Sequence, residues 1–599
     1  MEPAPLPSSP RSSGSDPAEE EKFPELVSAR PSYTVLLSEE DLRPKAGVSI
    51  PMMRRAPEFI YSPEPLEPIL IPKETIIEDS LRREPERVAH QENLLNKLVY
   101  DSINASPFNP SAAELPDGTL PPYYVQQAES DTTLVFESRF ECGNLRRALQ
   151  IYEFEYDLIL SPDYNTKGNT QWYYFSISNT RANRLYRFNI INMMKPDSLY
   201  NYGMRPLMYS TLEAVRQRKG WARCGQEVCY YQNPIKRRSA SGCFYTLTFA
   251  VVLPHDNDVV YFAHCYPYTY TDLSAYLNHI AADPAKRNRV RRSVICQTIA
   301  GNNIDLLTIT TFNNDKESLK KRKGVVLMSR VHPGETNASW LMKGLIDFLL
   351  GPALDAKVLR DNFIIKVVPM LNPDGVINGS YRCGLAGVDL NRCWVDPNKK
   401  LNPSIFHTKA MIKRFTEERE VVLCCDIHGH SRKKNVFMYG CPSRIRLRER
   451  VFPRLLEKSA DIFSFSDCVF GLQKAKEATA RIVLFKELGI LNSYTLEASF
   501  CGSDFGKYAD CHFNTEHYQE IARHYCDALL DFCNPDQTVV KAVLSELEQL
   551  IPREEEEESD SASADSDFSN DDKGKKPKKK KSGKKKAKES TTERRKKAS

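Results

Sequence analysis

Between about Tyr123 and Tyr270 apolar and polar positions alternate in short runs, TTLVFESRF, QWYYFSISN, LYRFNIINM, CFYTLTFAVVL and VVYFAHCYPY, separated by Asn, Asp, Gly and Pro. Short β-branched and aromatic runs with turn residues between them predict an all-β sandwich of about 150 residues. Trp172, Tyr173, Tyr174 and Phe175 are expected in its core rather than along a ligand groove, and nothing in the region has catalytic spacing. Beyond Tyr270 the pattern changes. GVVLMSR, NFIIKVVPML, VVLCCDIH and SYTLEASF are near-continuous apolar runs, as in central strands covered on both faces. TNASWLMKGLIDFLLG has helical period, with Thr336 or Asn337 as its expected cap and Gly351 after its end, and TEHYQEIARHYCDALLDF predicts a closing helix. Strands alternating with helices make an α/β domain.

The first 115 residues are rich in Pro, Ser and Glu, a composition that cannot offset the entropy of ordering. One stretch, Ile76 to Leu98, carries helix formers with Leu94, Leu95 and Leu98 in helical register, and predicts a docking helix. The expected organisation is therefore a mostly disordered region over 1–115, a β-sandwich over 116–274, the α/β domain over 275–535, and over 536–599 a short helix, Thr538 to Leu550, followed by a disordered tail. That tail is acidic from Glu554 to Glu558 and Lys-rich from Lys573 to Lys597, and blocks of like charge stay solvated.

Charge narrows the function. The 599 residues carry a formal +5, but Glu554 to Ser599 holds fifteen basic and twelve acidic residues, which leaves the rest at only +2. A broad phosphate-binding face needs a clustered basic excess, so nucleic-acid binding is expected only through the tail, if at all. No run reaches the roughly 18 apolar residues of a membrane span, and the amino-terminal stretch lacks the apolar segment of a secretory signal. Sixteen irregularly spaced cysteines without a CxxC pair read as reduced thiols in a cytoplasmic protein, not as disulfides or a zinc ribbon.

The chemistry begins at HPGE, where His332 and Glu335 follow the strand GVVLMSR in a turn ahead of a helix. His428 in CCDIHGHS follows another apolar strand and so reaches the same sheet edge, with His430 as a competing candidate. Two His and one Glu, with a fourth position left for water, form a catalytic zinc set. Between them NPDGVINGSYRCGLAGVDLNRCW offers Arg382, Asn391 and Arg392, and arginine forks suit carboxylates and developing oxyanions. Glu497 stands alone in the apolar strand SYTLEASF, costly there unless paired or functional, and suited to be a general base.

HPGE, NPDG, GVDLNR, DIHGHS and SYTLEASFCG, in this order, resemble the zinc metallocarboxypeptidases, specifically their cytosolic branch, and within it the chain is similar to the second and third members, the tubulin deglutamylases; FAHCYPYTYTDL resembles that branch too. The resemblance spans the β-rich and α/β regions. It implies an α/β carboxypeptidase domain with a mixed central sheet and one zinc per chain on His332, Glu335 and His428. Asn391 and Arg392 would hold the substrate's terminal carboxylate, Arg382 would stabilise the oxyanion, and Glu497 would activate water and pass its proton to the leaving amine. It further implies removal of C-terminal glutamate, and of aspartate as a further option, from tubulin, microtubules and other proteins with acidic tails, with sites at the cytoskeleton, centriole or cilium.

The family builds its side-chain pocket from the segment before the catalytic Glu, here KAKEATARIVLFKELGILNSYTLE. Arg481, with Lys474 and Lys476 as secondary candidates, would select an acidic terminus. Digestive carboxypeptidases carry a mobile tyrosine there, whereas residues 471–490 contain none. The cytosolic branch is also called ATP/GTP-binding-protein-like, but CGSDFGKY fails the phosphate-loop pattern, and no nucleotide is expected. Two other readings keep part of this picture: a small-molecule deacylase of the aspartoacylase kind, and a non-enzymatic microtubule adaptor.

Overall fold

The computed structural model describes residues 59, 66–103, 123–237, 242–313 and 315–551. The expected disorder of the other N-terminal residues and of the charged tail lies outside the described residues.

Two sheets form the first domain. One has six strands, in the order Lys97–Asp101, Leu145–Tyr152, Glu155–Leu160, Leu185–Met193, Cys243–Val252 and Gln226–Lys236. The other has five, in the order Val135–Glu137, Tyr174–Ser178, Val260–Ala263, Leu207–Ser210 and Ala222–Arg223. Trp172, Tyr173, Tyr174 and Phe175 are buried in the core, as their run of large apolar rings requires. Two expectations need correction. Residues 66–103, placed by composition in a mostly disordered region, carry regular structure. The helix runs Glu74–Ala89 and stops before Leu94, and Leu98 lies in the edge strand Lys97–Asp101, paired antiparallel with Leu145–Tyr152. Pairing with a sheet overrides the local helical register of three leucines. The helix docks through charge: Arg83 donates to Glu155 at 2.7 Å and Arg87 to Asp157.

The second domain is built on seven strands, in the order Val290–Gln297, Asn303–Ile309, Phe363–Val368, Lys323–Ser329, Val421–His430, Ser493–Ser499 and Val436–Tyr439. The four apolar runs form its parallel centre, and the flanking pairs are antiparallel, so the sheet is mixed. Helices cover both faces, because alternate residues of each central strand point into different cores. Val325, Leu327 and Ile427 face the core shared with helices Thr336–Leu350 and Thr515–Cys533. Val326, Met328 and Cys424 face helices Pro403–Glu418 and Ala480–Leu488. Helix Thr538–Leu550 adds Val540, Val543 and Leu547 to the first core. None of the sixteen cysteines is in a disulfide, and among the described residues no helix is long and apolar enough to cross a membrane.

Helix Thr336–Leu350 departs from expectation at its start. Its cap position is Glu335, not Thr336 or Asn337, and no side chain caps it. The Glu335 carboxylate is turned to the histidines instead.

Candidate active site

The parallel centre of the sheet delivers two histidines to one edge. Strand Lys323–Ser329 is followed by Arg330, whose backbone is left-handed at φ 57°, a conformation costly for a side chain of this kind. The buried guanidinium holds that bend from inside, donating to the Pro333 carbonyl at 2.7 Å, the Tyr268 carbonyl at 3.1 Å and the Ser339 hydroxyl at 2.8 Å. The turn presents His332 and Glu335 on one side. A Cβ at Gly334 would sit 2.6 Å from the Tyr381 ring, so the turn packs against Tyr381 only with glycine there. Strand Val421–His430 supplies His428, whose next residue, Gly429, donates its N–H to Glu335 at 3.0 Å.

His332, Glu335 and His428 place their ligand atoms within 4.8 Å of one another. Both rings turn Nδ1 inward: His332 Nδ1 lies 2.7 Å from Glu335 Oε1, and His428 Nδ1 3.0 Å from Glu335 Oε2. Both turn Nε2 outward to an acid, His332 to the half-buried Asp389 at 3.2 Å and His428 to the buried Asp426 at 2.8 Å. Outer carboxylates of this kind fix the tautomer and aim of metal-binding imidazoles. Burial alone would raise the Glu335 carboxyl, but the two histidines outweigh it and hold it well below the ordinary range. Burial opposes charge on His428, but Asp426 and then Glu335 overcome it, so its pKa is raised. The donor set, two nitrogens and one ionised carboxylate with partnered outer nitrogens, fits zinc. His430 is excluded from the cluster; its Nδ1 accepts the Lys433 N–H at 2.9 Å.

All eight site residues expected from the sequence line one cleft. Glu497 lies on strand Ser493–Ser499 in register with His428 on the neighbouring strand. Asp389 joins three of the groups: besides His332 it accepts from Arg382 Nε at 2.8 Å, and Arg392 stands 3.7 Å away. Burial works against its charge, but Arg382 and His332 keep it well below the usual carboxylate range. Asn391 Oδ1 accepts the N–H of Ala480 at 3.0 Å, bringing it beside Arg481. Arg481 is 5% exposed, donates to the Gly440 carbonyl, approaches Cys441 Sγ at 3.6 Å, and pairs with no carboxylate among the described residues. Burial pulls its pKa below the ordinary value, against the opposing pull of Cys441, Tyr439 and the Glu497 carboxylate. Of the secondary candidates Lys476 lines the cleft, whereas Lys474 is exposed outside its lining.

Sequence spacing missed the contribution of the β-sandwich. The Asp163 carboxylate accepts the backbone N–H groups of Tyr381, Arg382 and Cys383 at 2.6, 2.8 and 2.8 Å, which fixes the loop that aims Arg382. Lys195 reaches into the cleft from the same domain. Two phenols, Tyr381 and Tyr439, line the cleft where segment 471–490 provides none. No local pattern marks such residues, since their partners are up to 236 positions away. Asp389 and Asp426 had a signal, each an acid inside a quoted motif, GVDLNR and DIHGHS.

Comparison with known proteins agrees with this geometry. Residues 273–533 match the family described as zinc carboxypeptidase, and residues 136–264 match the cytosolic carboxypeptidase N-terminal domain. Cytosolic carboxypeptidase 3 of Bos taurus is 47% identical over 496 residues, covering 82% of this chain and 48% of that protein. Cytosolic carboxypeptidase 2 of Homo sapiens is 50% identical over 432 residues, covering 72% and 48%. The chain thus spans about half the length of these curated relatives. A crystal structure of a metallo-carboxypeptidase from Burkholderia cenocepacia is similar with a TM-score of 0.55 at 22% identity, covering 67% of this chain and 98% of that one, a likeness of fold.

Proposed function

Because the chain belongs to the zinc carboxypeptidases, in their cytosolic carboxypeptidase branch, we propose that it removes glutamate one residue at a time from acidic protein tails in the cytoplasm, polyglutamate side chains of tubulin included. The observation that carries the acidic preference is Arg481. A guanidinium buried at the cleft without a carboxylate partner is costly until an anion joins it, and a terminal glutamate side chain supplies that anion.

His332, Glu335 and His428 would hold the zinc, which supplies Lewis acidity toward the scissile carbonyl and lowers the pKa of water. Asn391 and Arg392 bind the terminal carboxylate, Arg392 as a fork that never loses its charge. Arg382, aimed by Asp389 and by the Asp163-bound loop, donates to the oxyanion that develops on the carbonyl oxygen; removal of one such donor typically costs about 3 kcal/mol. Glu497 takes the proton of the attacking water and delivers it to the leaving amine nitrogen. Asp389 and Asp426 hold the outer ring nitrogens, so neither imidazole can turn.

Mass spectrometry of polyglutamylated tubulin after incubation with the protein tests this reading. Stepwise loss of single glutamates with the wild type, absent with Glu497→Gln, is the expected result. Unchanged tail masses at full zinc content would count against it.

A further inference from the structure

Lys195 stands apart from the residues used above because it enters the cleft from the β-sandwich. Its ammonium donates to Tyr381 Oη at 2.7 Å and to Ser431 Oγ at 2.6 Å, and lies 4.8 Å from the centre of the Tyr381 ring. All of these partners are neutral, and no carboxylate among the described residues pairs with it. The backbone beneath it is fixed: the buried Tyr230 hydroxyl donates to the Lys195 carbonyl. A positioned cation with one donor to spare and no counter-ion is arranged to receive an anion.

The cleft itself says which part of a substrate would bring one. Asn391 and Arg481 meet through Ala480 at one end, where the terminal residue is placed by the function proposed above, on which this inference rests. Tyr381 belongs to the other side, its carbonyl accepting the Gly334 N–H of the metal-binding turn at 2.8 Å, and Ser431 follows strand Val421–His430. A peptide whose terminal residue sits at the Arg481 end would extend its upstream residues along this side. We propose that Lys195 is a specificity-determining residue that binds an acidic side chain upstream of the scissile bond, so that the β-sandwich helps to read a run of acidic residues and not only the last one.

The test compares acetyl-Glu-Glu-Glu with acetyl-Gln-Gln-Glu, which share a terminal glutamate and differ upstream only in charge. For the wild type kcat/KM is expected to favour the acidic peptide by about tenfold or more, as for a charge-assisted hydrogen bond, and the preference should shrink in 0.5 M KCl, where the Debye length falls below about 5 Å. In Lys195→Met the ratio should fall toward one, and in Lys195→Arg it should be retained. Zinc content and melting temperature verify that each variant is folded, and the salt dependence of the wild type provides a readout that needs no variant. An unchanged ratio in folded Lys195→Met, or a wild type without preference, would overturn the assignment of Lys195 while leaving terminal glutamate release standing. Release from neither peptide would overturn both.

Discussion

Replacing Arg481 by Met should move activity and stability in opposite directions. The side chain is 5% exposed, its charge is opposed by burial, and the described residues offer it a carbonyl and a thiol in place of a carboxylate. In the folded protein no carboxylate hydrogen-bonds that charge, and only the more distant Glu497 favours it until substrate arrives. Removing one partner of a buried charge pair costs about 3 kcal/mol or more, which corresponds to a loss of roughly 100-fold in kcat/KM on a peptide ending in Glu. Without substrate the same substitution removes a buried cation that no carboxylate hydrogen-bonds and keeps most of its volume. The Gly440 carbonyl loses its donor, which offsets part of the gain, so the variant should be more stable by about 1 kcal/mol, or a few degrees in melting temperature. Glutamate release from matched peptides ending in Glu and in Leu, together with thermal melts of metal-free protein, measures both effects. A Met variant that melts lower and still prefers Glu over Leu would refute the reasoning.

Three further outcomes follow from the geometry. Asp389→Asn and Asp426→Asn should each weaken zinc binding by about 10- to 100-fold, read by competition with a chelator, because each relaxes the outer hold on one imidazole. Glu141 is buried at the start of helix Tyr270–Ala282, accepting the Tyr270 N–H at 2.8 Å and the Thr271 hydroxyl at 2.6 Å; burial, helped by Asp272 and opposed by these bonds, raises its pKa to about 7 from an ordinary 4.5. The folded state therefore holds a proton that the unfolded state has lost, and stability should fall by about 3 kcal/mol as pH rises from about 4.5 through 7. In Glu141→Gln that part of the decline should vanish in urea titrations at pH 5 and pH 8, and an identical decline would contradict the assignment.

The parallel centre of the sheet was legible because strands buried on both faces must be apolar throughout, and the metal cluster because His332, Glu335 and His428 follow such strands directly. Local reasoning failed where a distant partner decided the outcome. Leu94, Leu95 and Leu98 fit a helix until the strand Leu145–Tyr152 offers its edge to Lys97–Asp101. Thr336 fits a cap until the histidines claim Glu335 and set where the helix begins. Nothing near Asp163 or Lys195 indicates that folding brings one to the loop of Arg382 and the other to Ser431. The sandwich that had no catalytic spacing along the chain contributes Lys195 to the cleft and, through Asp163, holds the loop of Arg382.

Release of glutamate from a synthetic peptide ending in several Glu residues tests the central claim most directly. It is run beside a chelated sample, the Glu497→Gln variant and a peptide ending in Lys. Release from the Glu peptide alone, abolished by chelation and by the substitution, is the expected result. No release from either peptide by protein containing one zinc per chain would contradict it.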